Sequence, residues 1–525
     1  MPSPSHTALN DLRTLVDEAI EVALVEHQSL SDLMARLLPV AREHLGGSAL
    51  YFETFGEDLT LQRFLSPSDA APSQLEEVAR RTADDAREDV RLEGPTGTIV
   101  ARPIDVAGEW FGRASLELPA GLDGAAIDRA AAGLTVLTEL LDNHLFAIRA
   151  AREKHLAMME IGNALRHRVL SIGLAAAVRV LSQAVPLDRL VLLYASEEPA
   201  ERSTLRVQLF EGAEAVADPA ARLGLEPAAL HALGRACLTG ESRELLNRFG
   251  AIGAQEEVLI NGLTNGVLVG KVVATAQRGA FNTYDRDLIA SFAGFVRQRV
   301  VDFNKEWRAL ALAFRPDDVA RLLSTENYAE AYLAPREAEV AILYVDISGF
   351  TRVSEQVLRT PANVAAFVEQ WSTRAVDLVW KHGGVFDKMV GDCVIALFGP
   401  PFYDAAPEER LAAALRCARD IRAMTNALPD EPDLTSLRGA NVGVASGVNL
   451  APLFVGQFGP NANFTGFSSG MNNTARLQGC ATKDQILVME AAARRLSTAE
   501  FGFGEPAFAT VKNVAEPLRF VHLRE

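Results

Sequence analysis

Two apolar runs in the last third of the chain each end on a carboxylate. The first, in EVAILYVDISGFTRVSE, stops at Asp346, and the Ser348-Gly349-Phe350-Thr351 turn leads from it into a helical pattern. The second lies in GGVFDKMVGDCVIALFGPP, which reads as strand, tight turn at Val390-Gly391-Asp392, then strand. Each carboxylate has an ordinary structural reading: an Asp after a strand often caps a helix, and Gly-Asp suits a hairpin turn. Together they point further. Two strand-end carboxylates side by side can bind divalent cations, and the amides of the turn after Asp346, at Gly349, Phe350 and Thr351, can donate to phosphate oxygens.

A third stretch, NFTGFSSGMNNTARLQG, runs from a strand end through a glycine turn into a helix. Asn472 and Arg476 are four residues apart, so a helix projects both from one face. Such pairs are commonly just solvated. An arginine held there can also meet the charge that develops on a transferring phosphoryl group.

Composition limits what surrounds these stretches. The 525 residues make roughly three domains at ordinary domain sizes. A formal charge of -17 disfavours general binding to nucleic acid or anionic lipid, so any phosphate must be held locally. Hydrophobic residues at 49% and charged ones at 23% exclude disordered, collagen-like and disulfide-scaffold classes. Cys237, Cys393, Cys417 and Cys480 are widely spaced, with no CxxC pair, and read as thiols in a reducing compartment. The first residues are partly acidic and unlike a secretory signal, and no uncharged apolar run reaches the ~18 residues of a membrane span. A cytoplasmic protein without a membrane span is expected.

Residues 21–150 run helix, short strands, hairpin around Gly108, then helix, after an N-terminal segment at 1–20. Residues 155–305 repeat that order, with a helix through Val180, a strand at RLVLLYAS and a late hairpin in EEVLINGLTNGVLVGKVVATA. Each half ends in an apolar row at steps of three and four. Leu134, Leu137, Leu141, Leu145 and Ile148 form the first; Phe292, Val296, Val300, Phe303, Trp307, Leu310 and Phe314 form the second. The second row leads straight toward the next domain and is expected to pair with a second chain as a dimer seam.

The repeated unit resembles the GAF domain, a small-ligand sensor of bacterial signalling chains, chiefly in FNTYDRDLIASFAGFV from Phe281 to Val296. The region from about 312 onward, with its transducer segment FRPDDVARLL, resembles the catalytic domain of class III nucleotide cyclases. The resemblance implies an α+β multidomain chain: two GAF-like modules, a dimerisation helix and transducer at 292–335, and a ferredoxin-like, palm-like cyclase domain with a mainly antiparallel sheet at 336–525. It implies Asp346 and Asp392 as metal aspartates with the Ile347 carbonyl, two Mg²⁺ per site with Mn²⁺ able to substitute, Lys388 and Thr465 as base readers, and Asn472 and Arg476 as ribose and transition-state residues. Lys512 is implied to bind the terminal phosphates. Lys388 offers donors and Thr465 can accept, which suits N1 and N6 of adenine; guanine reverses that pattern. ATP is therefore the expected substrate. By the resemblance, a homodimer shares its sites, and an unidentified small molecule acts on the GAF-like modules. The departure Ser468-Ser469-Gly470 stands where relatives carry an acidic residue. A non-catalytic nucleotide-binding dimer and a guanylate cyclase are the alternatives.

Overall fold

The computed structural model describes residues 4–56, 58–84, 89–94, 97–106, 109–196, 204–252, 255–261, 268–402, 404–460, 462–497, 500–510 and 517–524. It divides into two units, Met1–Ile161 with Asn282–Leu288, and Gly162–Phe281 with Ile289–Glu525.

The first unit contains an antiparallel sheet of strands β1 (Ala49–Phe55), β2 (Leu61–Ser66), β3 (Val90–Gly94), β4 (Gly97–Val106) and β5 (Glu109–Pro119), in the order β2-β1-β5-β4-β3. The expected hairpin is β4 and β5; its centre, Gly108, lies outside the described residues. The segment taken as an N-terminal extension is helical over Pro4–Val25. In the core, Leu134, Leu137, Leu141 and Leu145 pack with Leu33, Leu37, Phe52 and Leu116. This row is covered by its own unit. Its helix, Gly124–Leu165, also runs unbroken across the boundary expected at 150–155, because AAREKH contains good helix formers and no Gly or Pro.

The second unit carries two sheets. One has β6 (Leu187–Ser196), β7 (Thr204–Glu211), β8 (Glu214–Ala215), β9 (Gln255–Asn261) and β10 (Leu268–Ala276), in the order β8-β7-β6-β10-β9. The expected late hairpin is the antiparallel pair β9 and β10. The helix expected through Val180 is instead two helices, one ending at Leu165 and one spanning Leu170–Ala184.

The other sheet has eight strands: β11 (Arg336–Ile347), β12 (Val385–Val390), β13 (Cys393–Phe398), β14 (Val444–Phe458), β15 (Asn463–Phe467), β16 (Ile486–Met489), β17 (Ala507–Ala509) and β18 (Leu518–His522). Its order is β12-β13-β11-β14-β16-β18-β17, with β15 paired to β14; every pairing is antiparallel except β14 with β16. The helices Pro361–Lys381 and Pro407–Ala427 connect β11 to β12 and β13 to β14, which gives a ferredoxin-like βαββαβ centre. The mixed α+β, mainly antiparallel architecture is as expected.

Alternate residues of β11 face opposite layers. Leu343 and Val345 pack with Phe367, Trp371, Leu411 and Leu415 of the two helices, and Trp371 Nε1 donates to Thr425 Oγ1 at 2.9 Å. Val340 and Ile342 pack on the other side with Trp307, Leu310, Phe314, Val319 and Leu322. That second layer corrects the dimer-seam expectation. Phe292, Val296 and Val300 are also fully buried within this single chain, and the helix Thr283–Ala311 is held by Asn304 Nδ2 donating to the Ala195 carbonyl at 3.0 Å. A sheet apolar on both faces needs two covers, and this helix with Pro316–Leu323 supplies one of them. No helix of the described residues is long and apolar enough to cross a membrane.

The helix Ser469–Cys480 reaches the sheet because Gly447 on β14 has no side chain: a Cβ there would stand 2.6 Å from the Gln478 nitrogen and 2.9 Å from its Cα. Both are backbone atoms, so the helix itself would have to move. Gly447→Ala is expected to lower unfolding stability by about 1–3 kcal/mol in urea titration. An unchanged midpoint would show that the helix does not rest on this contact.

Candidate active site

Asp346 occupies the last turn of pleat in β11, register-paired with Cys393 of β13. Asp392 immediately precedes Cys393, in the turn where Gly391 takes a left-handed φ of 63°. This pairing sets the two carboxylates side by side. Burial and the facing Asp392 carboxylate push the pKa of Asp346 up, and burial pushes that of Asp392 up as well. The nearby Cys393 thiol is pushed up to about 12 by burial and by the same two carboxylates. Like charges this close require a shared proton or a cation. Among the described residues no cluster of three or more His, Cys, Asp or Glu side chains could hold a metal, so the protein's side-chain donors here are these two oxygen ligands. That donor set fits hard cations that complete their shells with carbonyls, water and phosphate.

Ile347 ends β11, and the Ser348 amide donates to the Gly443 carbonyl at 2.9 Å. Gly349 follows with φ 70° and begins only a short helix, Phe350–Arg352, that widens into a π turn at Val353–Leu358. The regular helix expected after this turn is thus absent. Phe350 packs partly against the main core and Thr351 is exposed.

Lys388 on β12 and Thr465 on β15 meet directly, with Nζ donating to Oγ1 at 3.4 Å. They line a cavity of about 840 Å³ whose wall includes Glu306 and Leu310 from the helix Thr283–Ala311 and Phe314 from the turn after it. Asp346, Asp392, Asn472 and Arg476 are not among its lining residues. Lys388 lies on β12, and Asp392 sits in the tight turn that follows that strand. Within the single chain, the cavity of Lys388 and Thr465 is lined without the other four residues.

The helix carrying Asn472 and Arg476 is capped by Ser468, whose hydroxyl accepts from the Gly470 amide at 2.9 Å. The small polar run that departs from the expected acidic pattern thus starts the helix. Met471, Thr474 and Leu477 are buried toward the sheet, which leaves Asn472 exposed and Arg476 half-buried. Lys512 lies outside the described residues.

Two residues were not singled out from sequence. Gln478, on the Arg476 helix, hydrogen-bonds to Asp346 and favours its charged form. Asp387, beside Lys388, has a completely buried side chain. A charge inside an apolar strand was the available signal for Asp387, whereas Gln478 became meaningful only through the packing of its helix on β14.

Residues 333–519 match the family model described as the adenylate and guanylate cyclase catalytic domain. This segment is a class III nucleotide cyclase catalytic domain. An uncharacterized protein of Mycobacterium tuberculosis is 31% identical over 147 residues, covering 28% of this chain and 24% of that protein. An uncharacterized protein of Mycobacterium bovis is 29% identical over 147 residues, covering 28% and 25%. The chain thus spans a minor part of these curated relatives. Among solved structures, the adenylyl cyclase CyaB from P. aeruginosa is 21% identical over 37% of this chain and 97% of its own, with a TM-score of 0.33. The guanylyl cyclase Cya2 is 20% identical over 36% and 93%, with a TM-score of 0.30.

The raised carboxylates give the metal-free fold a defined pH dependence. Their folded pKa lies above the unfolded value near ~4, so this stabilising contribution is present at lower pH and is lost as pH rises through the folded value. In EDTA, the wild-type Tm should fall from pH 5 to pH 8 more than that of Asp346→Asn. Mn²⁺ at a hundredfold its Kd should restore about 2.7 kcal/mol to the wild type and much less to the variant. Equal Mn²⁺ shifts in both proteins would place the cation elsewhere.

Proposed function

We propose that the chain is an adenylate cyclase that converts ATP to cyclic AMP and pyrophosphate, acts as a homodimer, and is controlled by two GAF-like modules. The observation that carries this reading is the Lys388–Thr465 contact, a donor beside a potential acceptor, in a domain whose β11–β13 register also sets Asp346 beside Asp392. Lys388 would donate to N1 of adenine and Thr465 accept from its N6 amine.

Asp346, Asp392 and the Ile347 carbonyl would hold Mg²⁺ or Mn²⁺. Bound there, the cations would neutralise triphosphate charge and acidify the ribose 3′-hydroxyl. The turn at Gly349, Phe350 and Thr351 would receive phosphate oxygens. Asn472 would orient the ribose for in-line attack on the α-phosphorus, Arg476 would meet the charge that develops there, and Lys512 would bind the departing pyrophosphate. Removing one such donor typically costs about a hundredfold to a thousandfold in rate.

By the resemblance to nucleotide cyclases the site would be shared, with Asp346 and Asp392 of one protomer facing Lys388, Thr465, Asn472 and Arg476 of the other. An apolar patch supports self-association: Phe454 and Phe467 are 50% and 56% exposed and stack about Phe458 at ring distances of 5.7 and 5.0 Å. A two-fold pair would form two equivalent sites.

Control has a direct route within the second unit. The Ala313 carbonyl accepts from Trp380 Nε1 and from the Phe386 amide, both at 3.1 Å, so the segment after the long helix grips β12 two residues before Lys388. A small ligand acting on a GAF-like module would shift this grip, with coupling of about 1–3 kcal/mol typical of such devices. The enzyme would act in the cytoplasm, where ATP and Mg²⁺ are supplied.

Mixing Asp346→Ala with Arg476→Ala tests the shared site. Each alone should be inactive, and the mixture should recover cyclic AMP formation up to about a quarter of wild type, since random pairing makes half the dimers mixed and each mixed dimer has one intact site. No recovery in verified heterodimers would rule out shared sites.

A further inference from the structure

The Asp387 side chain is wholly buried against the cavity that holds Lys388 and Thr465, and neither carboxylate oxygen has a hydrogen bond of ordinary geometry. Lys388 Nζ stands 3.6 Å from its Oδ2 while donating to Thr465 Oγ1 at 3.4 Å. One ammonium thus bridges the carboxylate and the hydroxyl. Burial pushes the Asp387 pKa up, and the neighbouring Thr465 hydroxyl and Lys388 ammonium work in the opposite direction.

The donor inventory of these groups settles the direction of the hydroxyl. Lysine only donates, an ionised carboxylate only accepts, and a threonine hydroxyl has one hydrogen and two lone pairs. One lone pair of Thr465 receives Lys388, and its hydrogen has Asp387 as the neighbouring acceptor. The second lone pair is left for the cavity. We propose that Asp387 is a positioning residue that takes the hydroxyl hydrogen of Thr465, fixes that hydroxyl as an acceptor toward the base, and so determines the choice of adenine over guanine. This rests on the reading of Lys388 and Thr465 as base readers.

An exocyclic amine then meets a lone pair, whereas the O6 of guanine meets lone pair against lone pair. Sites that pair polar groups discriminate strongly, because the wrong ligand leaves a buried group unmatched. Without Asp387 the hydroxyl could turn and donate to O6, and Thr465 would accept either base.

The test is competition of ATP and of GTP against a fluorescent nucleotide on the full-length protein with Mn²⁺. The wild type should prefer ATP, and Asp387→Asn, whose amide can donate to Thr465, should reduce the ATP-to-GTP affinity ratio by about tenfold, or ~1.4 kcal/mol. Asp387→Glu, still an acceptor, should keep most of the preference. Asp387→Ala should lose part of it and serves where the Asn variant does not fold. In a Thr465→Val background, Asp387→Asn should leave the ratio unchanged, since no hydroxyl remains to orient. Equal weakening of both nucleotides by Asp387→Asn, or the same ratio change in the Thr465→Val background, would overturn the assignment. A chain that binds nucleotides in the expected pattern but forms no cyclic product would contradict the enzymatic reading alone. A wild type that prefers GTP would overturn both.

Discussion

Two like-charged carboxylates held together by strand register create a demand that the fold itself does not meet. Asp346 and Asp392 are adjacent because β11 and β13 pair Asp346 with Cys393, so neither can move away without breaking the ladder. Their shared environment makes the charged forms costly, and the absence of a third ionisable ligand among the described residues leaves coordination positions for a substrate. In the proposed enzyme, ATP phosphates complete what the protein leaves incomplete. This also reconciles an acidic chain with an anionic substrate: the net charge of -17 describes the surface, while cations and a few basic side chains would govern the site.

In the proposed enzyme, the same sheet would offer the rest of the second unit a route to that site. Its β11 strand is apolar on both faces, with helices Pro361–Lys381 and Pro407–Ala427 on one side and Trp307, Leu310 and Phe314 on the other. The linker is therefore a layer of the catalytic domain's core, and any displacement of it must repack residues against β11, β12 and β13. Glu306 and Tyr328, which hydrogen-bond to each other, extend this layer along the cavity that holds Lys388 and Thr465. A ligand-driven change upstream would thus reach the base pocket by packing and by the Ala313 carbonyl.

Much of this was legible in the sequence. Apolar runs ending at Asp346 and around Gly391 located the hairpin and its partner strand, and the spacing of Asn472 and Arg476 located their helix. The apolar row from Phe292 to Phe314 was visible too, but periodicity states that a face is buried and not what buries it. Here the chain's own core buries the row, with the β11 sheet covering Trp307, Leu310 and Phe314. The short helix after Gly349 and the continuous helix through 150–155 differed because local pattern sets element boundaries weakly. Asp387 and Gln478 gained meaning only from tertiary register, since each acts on a residue distant in sequence or on the far side of a packed helix.

The central claim is tested most directly by incubating the purified protein with Mg²⁺ or Mn²⁺ and either ATP or GTP, then identifying the nucleotide product by mass. Cyclic AMP with pyrophosphate from ATP, and little cyclic GMP from GTP, is the predicted result. Cyclic GMP as the main product, or no cyclic nucleotide from a verified dimer, would contradict it.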